Sequence, residues 1–129
     1  MYLVDTSVWV EVFRRPAGLD LESAVAFDDV VTCLPVIQEV LQGFLDERPY
    51  RVAKEAMRAL PIVESPLSLD VVDQAVELYR QARHAGVTVR SGVDCLIAAC
   101  ALRHDLTVLH RDRDFELLAR TSPLRVKSA

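Results

Sequence analysis

At 129 residues, 51% of them hydrophobic and with only 4 Gly and 6 Pro, the chain reads as one domain spanning 1–129 and not as a disordered or fibrous protein. A net charge of −4 argues against gripping nucleic acid by bulk electrostatics. The halves differ, however. Residues 1–79 hold 14 acids and 6 bases (net −8), and residues 80–129 hold 5 acids and 9 bases (net +4). A local positive track toward a phosphate backbone and a plain mixed surface therefore both stay open.

The longest uncharged stretches, "VVTCLPVIQ" (30–38) and "CLIAACAL" (95–102), are far too short to span a bilayer. "MYLVDTS" has neither the basic run nor the cleavage site of a signal peptide. Cys33, Cys95 and Cys100 form no C-x-x-C pair and sit in apolar company. They read as reduced core thiols of a cytoplasmic protein.

In chain order, "YLVD" (2–5) reads as a buried strand and "SVWVEVFRR" as a short helix ended by Pro16 and Gly18. "DLESAVAF" has the pattern of a helix capped by Asp20. "VVTCL" (30–34) is β-branched and apolar, a second strand. Pro35 stands at a helix start, with Val36, Val40, Leu41 and Phe44 at helical spacing. Pro49 opens a further helix, "YRVAKEAMRAL", and "PIVES" (61–65) is a weaker strand. Ser68 caps a long helix with an apolar stripe of Val72, Ala75, Val76 and Tyr79, closed by Gly86. Ser91 and Asp94 stand at capping-box-like spacing before "CLIAACAL", a helix apolar on most faces and so buried. "LTVLH" (106–110) is a strand, "RDFELLAR" a helix and "LRV" (124–126) a last strand. Strands alternating with helices define an α/β fold with a parallel sheet covered on both faces.

In such a sheet the strand C-termini and the following helix N-termini share one edge, where ligands bind. Asp5, Glu39, Asp94, Asp112 and Asp114 all belong to that edge. Each of the aspartates has a structural reading as a helix cap. Glu39 is harder to dismiss as structural, because it stands in an apolar context with no obvious cation nearby. Together the acids repel by about 4 kcal/mol for two unit charges about 4 Å apart at an effective dielectric of about 20. A hard divalent cation, Mg²⁺ or Mn²⁺, is the economical remedy. His84, His104 and His110 are scattered and H-E-x-x-H is absent, so nothing points to zinc.

The stretches "LVDTSVW", "VIQEVLQG" with Glu39 and Gly43, "SGVDCLIAACAL" with Asp94, and "HRDRDFE" run in this order along essentially the whole chain. In combination they resemble the PIN domain of the VapC type, the toxin half of VapBC toxin–antitoxin pairs. The resemblance implies a three-layer α/β/α sandwich with a five-stranded parallel sheet. It also implies a homodimer, an Mg²⁺- or Mn²⁺-dependent endoribonuclease acting on RNA, and a cognate antitoxin protein that blocks the site. By position, Asp5, Glu39, Asp94 and Asp112 match the family's catalytic acidic quartet, and Asp114 matches a frequent extra acid before Phe. Asp5 and Asp94 would be the main metal ligands, with Glu39 and Asp112 completing the shell or orienting water. Ser7 matches the small hydroxyl residue that supports the first aspartate. The products would be 5′-phosphate and 3′-hydroxyl ends. His110 departs from the pattern, since many members carry Thr, Ser or Asn there.

Arg111 and Arg113 have two readings. Either they pair with the neighbouring aspartates, or they join Arg90, Arg14 and Arg15 in holding RNA phosphates. With aromatics at 6%, and Trp9, Phe13 and Tyr79 on expected core stripes, no base-stacking platform is apparent. Two rival functions stand beside the nuclease. One is a catalytically silent PIN-like interaction domain. The other is a phospho-accepting domain using Asp5, against which D-x-D-x-T is absent and neither Lys54 nor Lys127 ends a recognisable strand.

Overall fold

The computed structural model describes residues 1–14, 16 and 18–129. Strands β1 (Tyr2–Val4), β2 (Val30–Cys33), β3 (Ile62–Val63), β4 (Thr107–His110) and β5 (Arg125–Ser128) alternate with helices. These are α1 (Thr6–Phe13), α2 (Leu34–Gln42), α3 (Glu47–Arg58), α4 (Leu69–His84), α5 (Gly92–Arg103) and α6 (Arg113–Thr121). The five strands form one sheet in the order β3-β2-β1-β4-β5, with every pairing parallel. Right-handed crossovers then put α1–α3, which pack on one another, on one face and α4–α6 on the other. The result is the three-layer α/β/α sandwich.

The strand order carries the functional geometry. From β1 the chain steps outward to β2 and β3, then returns to the other side of β1 as β4. The order therefore reverses between β1 and β4, and a crevice opens there at the strand C-termini. The register pairs Val4 with Leu109, and the Asp5 N–H donates to the Leu109 carbonyl at 2.9 Å. Asp5 and His110 consequently leave the sheet side by side.

Helix α5 anchors the site from behind. Its Ile97, Ala98, Ala99, Cys100 and Ala101 are wholly buried, as the uninterrupted apolar run demands. All three cysteines are free and buried. Among the described residues no helix is long and apolar enough to cross a membrane.

Three elements differ from the sequence reading. "DLESAVAF" forms only a 3₁₀ turn at Leu21–Ser23, capped by Asp20 as expected, followed by a second at Phe27–Asp29. The Ser23 hydroxyl donates to the Asp20 carbonyl at 2.6 Å, a back-bond that competes with α-helical pairing. Helix α3 begins at Glu47, two residues before Pro49, because a proline in the first turn gives up an N–H that would have no helical partner anyway. On α4 the buried stripe is Val71, Ala75, Leu78 and Ala82, while Val72, Val76 and Tyr79 face outward. The small residues take the inner side because α4 packs closely along α5.

Gly86 ends α4 at φ +78, and a complete Schellman pair forms: Gly86 N–H to the Arg83 carbonyl (3.0 Å) and Val87 N–H to the Ala82 carbonyl (2.9 Å). A Cβ at this position meets nothing within 4 Å, so only the backbone conformation opposes substitution. Gly86→Ala should lower the unfolding free energy by about 1 kcal/mol, read from urea denaturation, with the m-value unchanged.

Candidate metal centre

Each acid at the crevice is placed by ordinary local structure. Asp5 caps α1: its Oδ2 accepts from the Ser7 N–H (3.0 Å) and the Ser7 hydroxyl (2.6 Å). Its Oδ1 is buried and has no partner. Asp112 caps α6 through Oδ1, which accepts the Asp114 N–H at 2.9 Å. Asp114, 1% exposed, accepts the Arg90 N–H on Oδ2 at 3.2 Å and leaves Oδ1 buried and unmet. At the head of α5 the cap is Ser91, whose Oγ accepts the Val93 N–H at 3.2 Å. Asp94 takes no part in that cap, and its Oδ2 is buried without a partner. Glu39, half-buried on α2, accepts the Thr6 hydroxyl on Oε1 at 2.9 Å.

Asp94, Asp112 and Asp114 come closest, each offering an oxygen within 4.8 Å of the others. Asp5 and Glu39 stand outside this triad, but their charges act on Asp94 together with those of Asp112 and Asp114. The Asp94 carboxyl is pushed up to about 7, first by burial and then by Asp5, Asp112, Asp114 and Glu39. Burial raises Asp5 as well, against the lowering effect of its Ser7 bonds and with a further push from Asp112. Glu39 is raised by burial, lowered by Thr6, and raised again by Asp5 and Asp112.

One cation answers the cluster among the described residues. Arg90 donates from Nη2 to Asp112 Oδ1 at 3.3 Å and sets Nε 3.4 Å from Asp114 Oδ2. It approaches from one side only. Asp5 Oδ1, Asp94 Oδ2 and Asp114 Oδ1 remain unmet. An all-oxygen, carboxylate-rich set with unsatisfied buried atoms fits a hard divalent cation, which takes such ligands and tolerates their like charge.

The remaining sequence candidates sort themselves around this centre. Ser7 links Asp5 to the far loop, since its Oγ also accepts the Arg111 N–H at 3.0 Å. Arg111 and Arg113 are exposed and make no ion pair among the described residues, so the aspartates are answered by Arg90 instead. Arg14 lies 3.2 Å from Glu11. Arg15 lies outside the described residues. Sequence reasoning missed Thr6 as the partner of Glu39, although it stands inside the "DTS" motif. It also missed the contact of His110 Nε2 with Glu116 Oε1 at 3.1 Å, for which no sequence signal exists.

The PIN domain family matches residues 2–121. Ribonuclease VapC11 of Mycobacterium tuberculosis is 38% identical over 133 aligned residues, covering 99% of this chain and 98% of that protein. The chain belongs to the PIN-domain family, among its VapC ribonucleases. VapC ribonuclease Mb1587 of Mycobacterium bovis matches to the same extent. In fold the chain is similar to VapBC2 from Rickettsia felis, solved with a promoter DNA fragment, at a TM-score of 0.78 and 17% identity over 99% of this chain and 98% of that one. The crevice and its carboxylates thus belong to a PIN fold.

The raised carboxyls make a stability prediction. A carboxyl that binds its proton more tightly folded than unfolded stabilises the fold while protonated, and that contribution is lost as pH climbs through its folded value. In EDTA the unfolding free energy should therefore fall between about pH 4 and about pH 7 and then level off. Asp94 carries up to about 4 kcal/mol of this, from its shift between 3.8 and about 7. Asp94→Asn should flatten most of the slope and raise the thermal midpoint at pH 8, measured by calorimetry across the pH series.

Proposed function

We propose that the chain is an Mg²⁺- or Mn²⁺-dependent endoribonuclease, the toxin of a VapBC-type pair that acts as a cytoplasmic homodimer and is silenced by a cognate antitoxin. The observation that carries this reading is the trio of unmet buried carboxylate oxygens at the β1/β4 crevice of a chain related to VapC ribonucleases. A silent interaction domain has no use for Asp94, which is buried, repelled by its neighbours and absent from any cap.

In this reading Asp5, Asp94 and Asp114 hold the ion through their free oxygens, and Asp112 shares its carboxylate between the ion and Arg90. When bound, the ion supplies a coordinated water of lowered pKa and neutralises charge on the phosphate. Thr6 occupies Glu39 Oε1, so Oε2 is the atom left to receive a proton from the attacking water. The bond that breaks is phosphorus to the 3′-oxygen, leaving a 5′-phosphate and a 3′-hydroxyl. Arg111 and Arg113, exposed at the rim and unpaired among the described residues, hold the flanking phosphates, a role in which the exposed guanidinium of Arg90 joins.

Two apolar grooves serve the protein partners in this reading. One, of about 290 Å³, runs between α1 and α2 past Val10, Phe13, Val40 and Phe44 to Glu39, and suits an antitoxin segment that ends over the acids. The other, of about 310 Å³, lies between α4 and α5 under the outward-facing Val72, Val76 and Tyr79, and suits a second copy of the chain.

Cleavage of a panel of structured RNAs should require Mg²⁺ or Mn²⁺ and stop in EDTA. Asp94→Asn and Asp5→Asn should each lower it more than about 100-fold while the thermal transition stays cooperative. Full activity in purified Asp5→Asn would overturn the assignment of that residue. Val76→Glu should turn the dimer into a monomer by light scattering, and a monomeric wild type would refute the dimer.

A further inference from the structure

His110 ends β4 with its ring 2% exposed, tilted against Phe115 with centroids 5.5 Å apart. An imidazole so enclosed must satisfy both nitrogens from within the protein. The Asp112 backbone N–H donates to Nδ1 at 3.2 Å. A main-chain N–H has no other role in a hydrogen bond, so Nδ1 presents its lone pair and Nε2 carries the ring proton. Nε2 then donates to Glu116 Oε1 at 3.1 Å. The ring therefore braces the end of β4 to two points of α6, the residue that caps it and the fourth residue inside it.

What the brace holds is the turn that delivers two of the three clustered acids. Three backbone N–H groups of that turn are held by side chains: Arg111 N–H by Ser7 Oγ, Asp112 N–H by His110 Nδ1, and Asp114 N–H by Asp112 Oδ1. The first is anchored on the residue that holds Asp5, and the third is the helix cap itself. Only the second comes from a side chain with no carboxylate duty and no exposure. A Thr, Ser or Asn at this position can accept the same N–H but is too short to reach Glu116 across the turn.

We infer, on the reading that the acidic cluster holds a divalent ion, that His110 is a positioning residue: its Nδ1 accepts the Asp112 N–H and so fixes the β4–α6 turn that aims Asp112 and Asp114 at Asp94. The acceptor at Nδ1 is the essential part, and the Nε2 contact with Glu116 sets the tautomer that makes it an acceptor.

The test is Mn²⁺ binding to the intact protein by calorimetry, with thermal unfolding recorded for each variant. His110→Asn keeps an acceptor oxygen near the place of Nδ1. His110→Gln sends its polar end toward the place of Nε2 and loses the acceptor. Expected is a Kd within about threefold of wild type for His110→Asn and a Kd weakened about tenfold or more for His110→Gln. Equal weakening in both variants would reduce the ring to a space-filler and overturn the inference, as would wild-type affinity in His110→Gln. Asp94→Asn separates the two levels. If it loses Mn²⁺ binding while His110→Gln does not, the metal centre stands and the role of His110 falls. If Asp94→Asn binds Mn²⁺ as wild type does, both fall. Should the His110 variants not fold, the ring ¹⁵N spectrum of the wild type decides: a proton on Nε2 and a bare Nδ1 are expected, and a proton on Nδ1 overturns the inference.

Discussion

Like-charged carboxylates buried together at a strand edge are the condition that the rest of this molecule is built to withstand. Asp94 is the extreme case, 6% exposed with an oxygen that nothing meets, and four other acids act on it. Such a group cannot be placed there by its own interactions. It is carried in by α5, whose buried Cys95 and Ile97 to Ala101 lock the helix into the core. The apolar burial of one face holds the polar misfit at its head, and that misfit is the feature that suits the site to a cation.

Cap and ligand first look like competing explanations for each aspartate. A carboxylate has two oxygens, and the structure uses them separately. Asp5 spends Oδ2 on Ser7 and keeps Oδ1 free, while Asp114 spends Oδ2 on Arg90 and keeps Oδ1 free. The bonded oxygen fixes the direction of the other. For Asp5 helix capping is thus the means by which the free oxygen is aimed, and for Asp114 the Arg90 N–H does the same.

The alternation of strands and helices was legible because buried parallel strands and capped helices leave strong local marks, and the five acids were legible because strand ends in such a sheet share an edge. What escaped the sequence depends on which element comes alongside. On α4 either Val71 or Val72 begins a plausible stripe, and only the close approach of α5 favours the one built from Ala75 and Ala82. "DLESAVAF" has the composition of a helix, but a serine back-bond and the short distance to β2 leave it as turns. Arg111 and Arg113 are next to the aspartates in sequence, yet the pairing goes to Arg90, which reaches them from the loop before α5. Proximity along the chain is a poor guide at a turn, where neighbouring side chains point to different sides.

Arg90 also shows why an arginine alone does not complete the centre. Its side chain is 63% exposed, so its attraction to Asp112 and Asp114 is screened by water and modest. Its donors lie in one plane and reach the two acids of the β4–α6 turn, whereas the unmet oxygens of Asp5 and Asp94 come from β1 and α5 on other sides of the crevice. A second guanidinium would bring another plane and another long side chain to order. A small doubly charged ion accepts oxygens from several directions and carries its remaining coordination as water. The oxygens that Arg90 fails to reach are therefore the ones whose geometry calls for a compact ion, and the arginine, weakly held and at the rim, is the group most easily given up to an incoming phosphate.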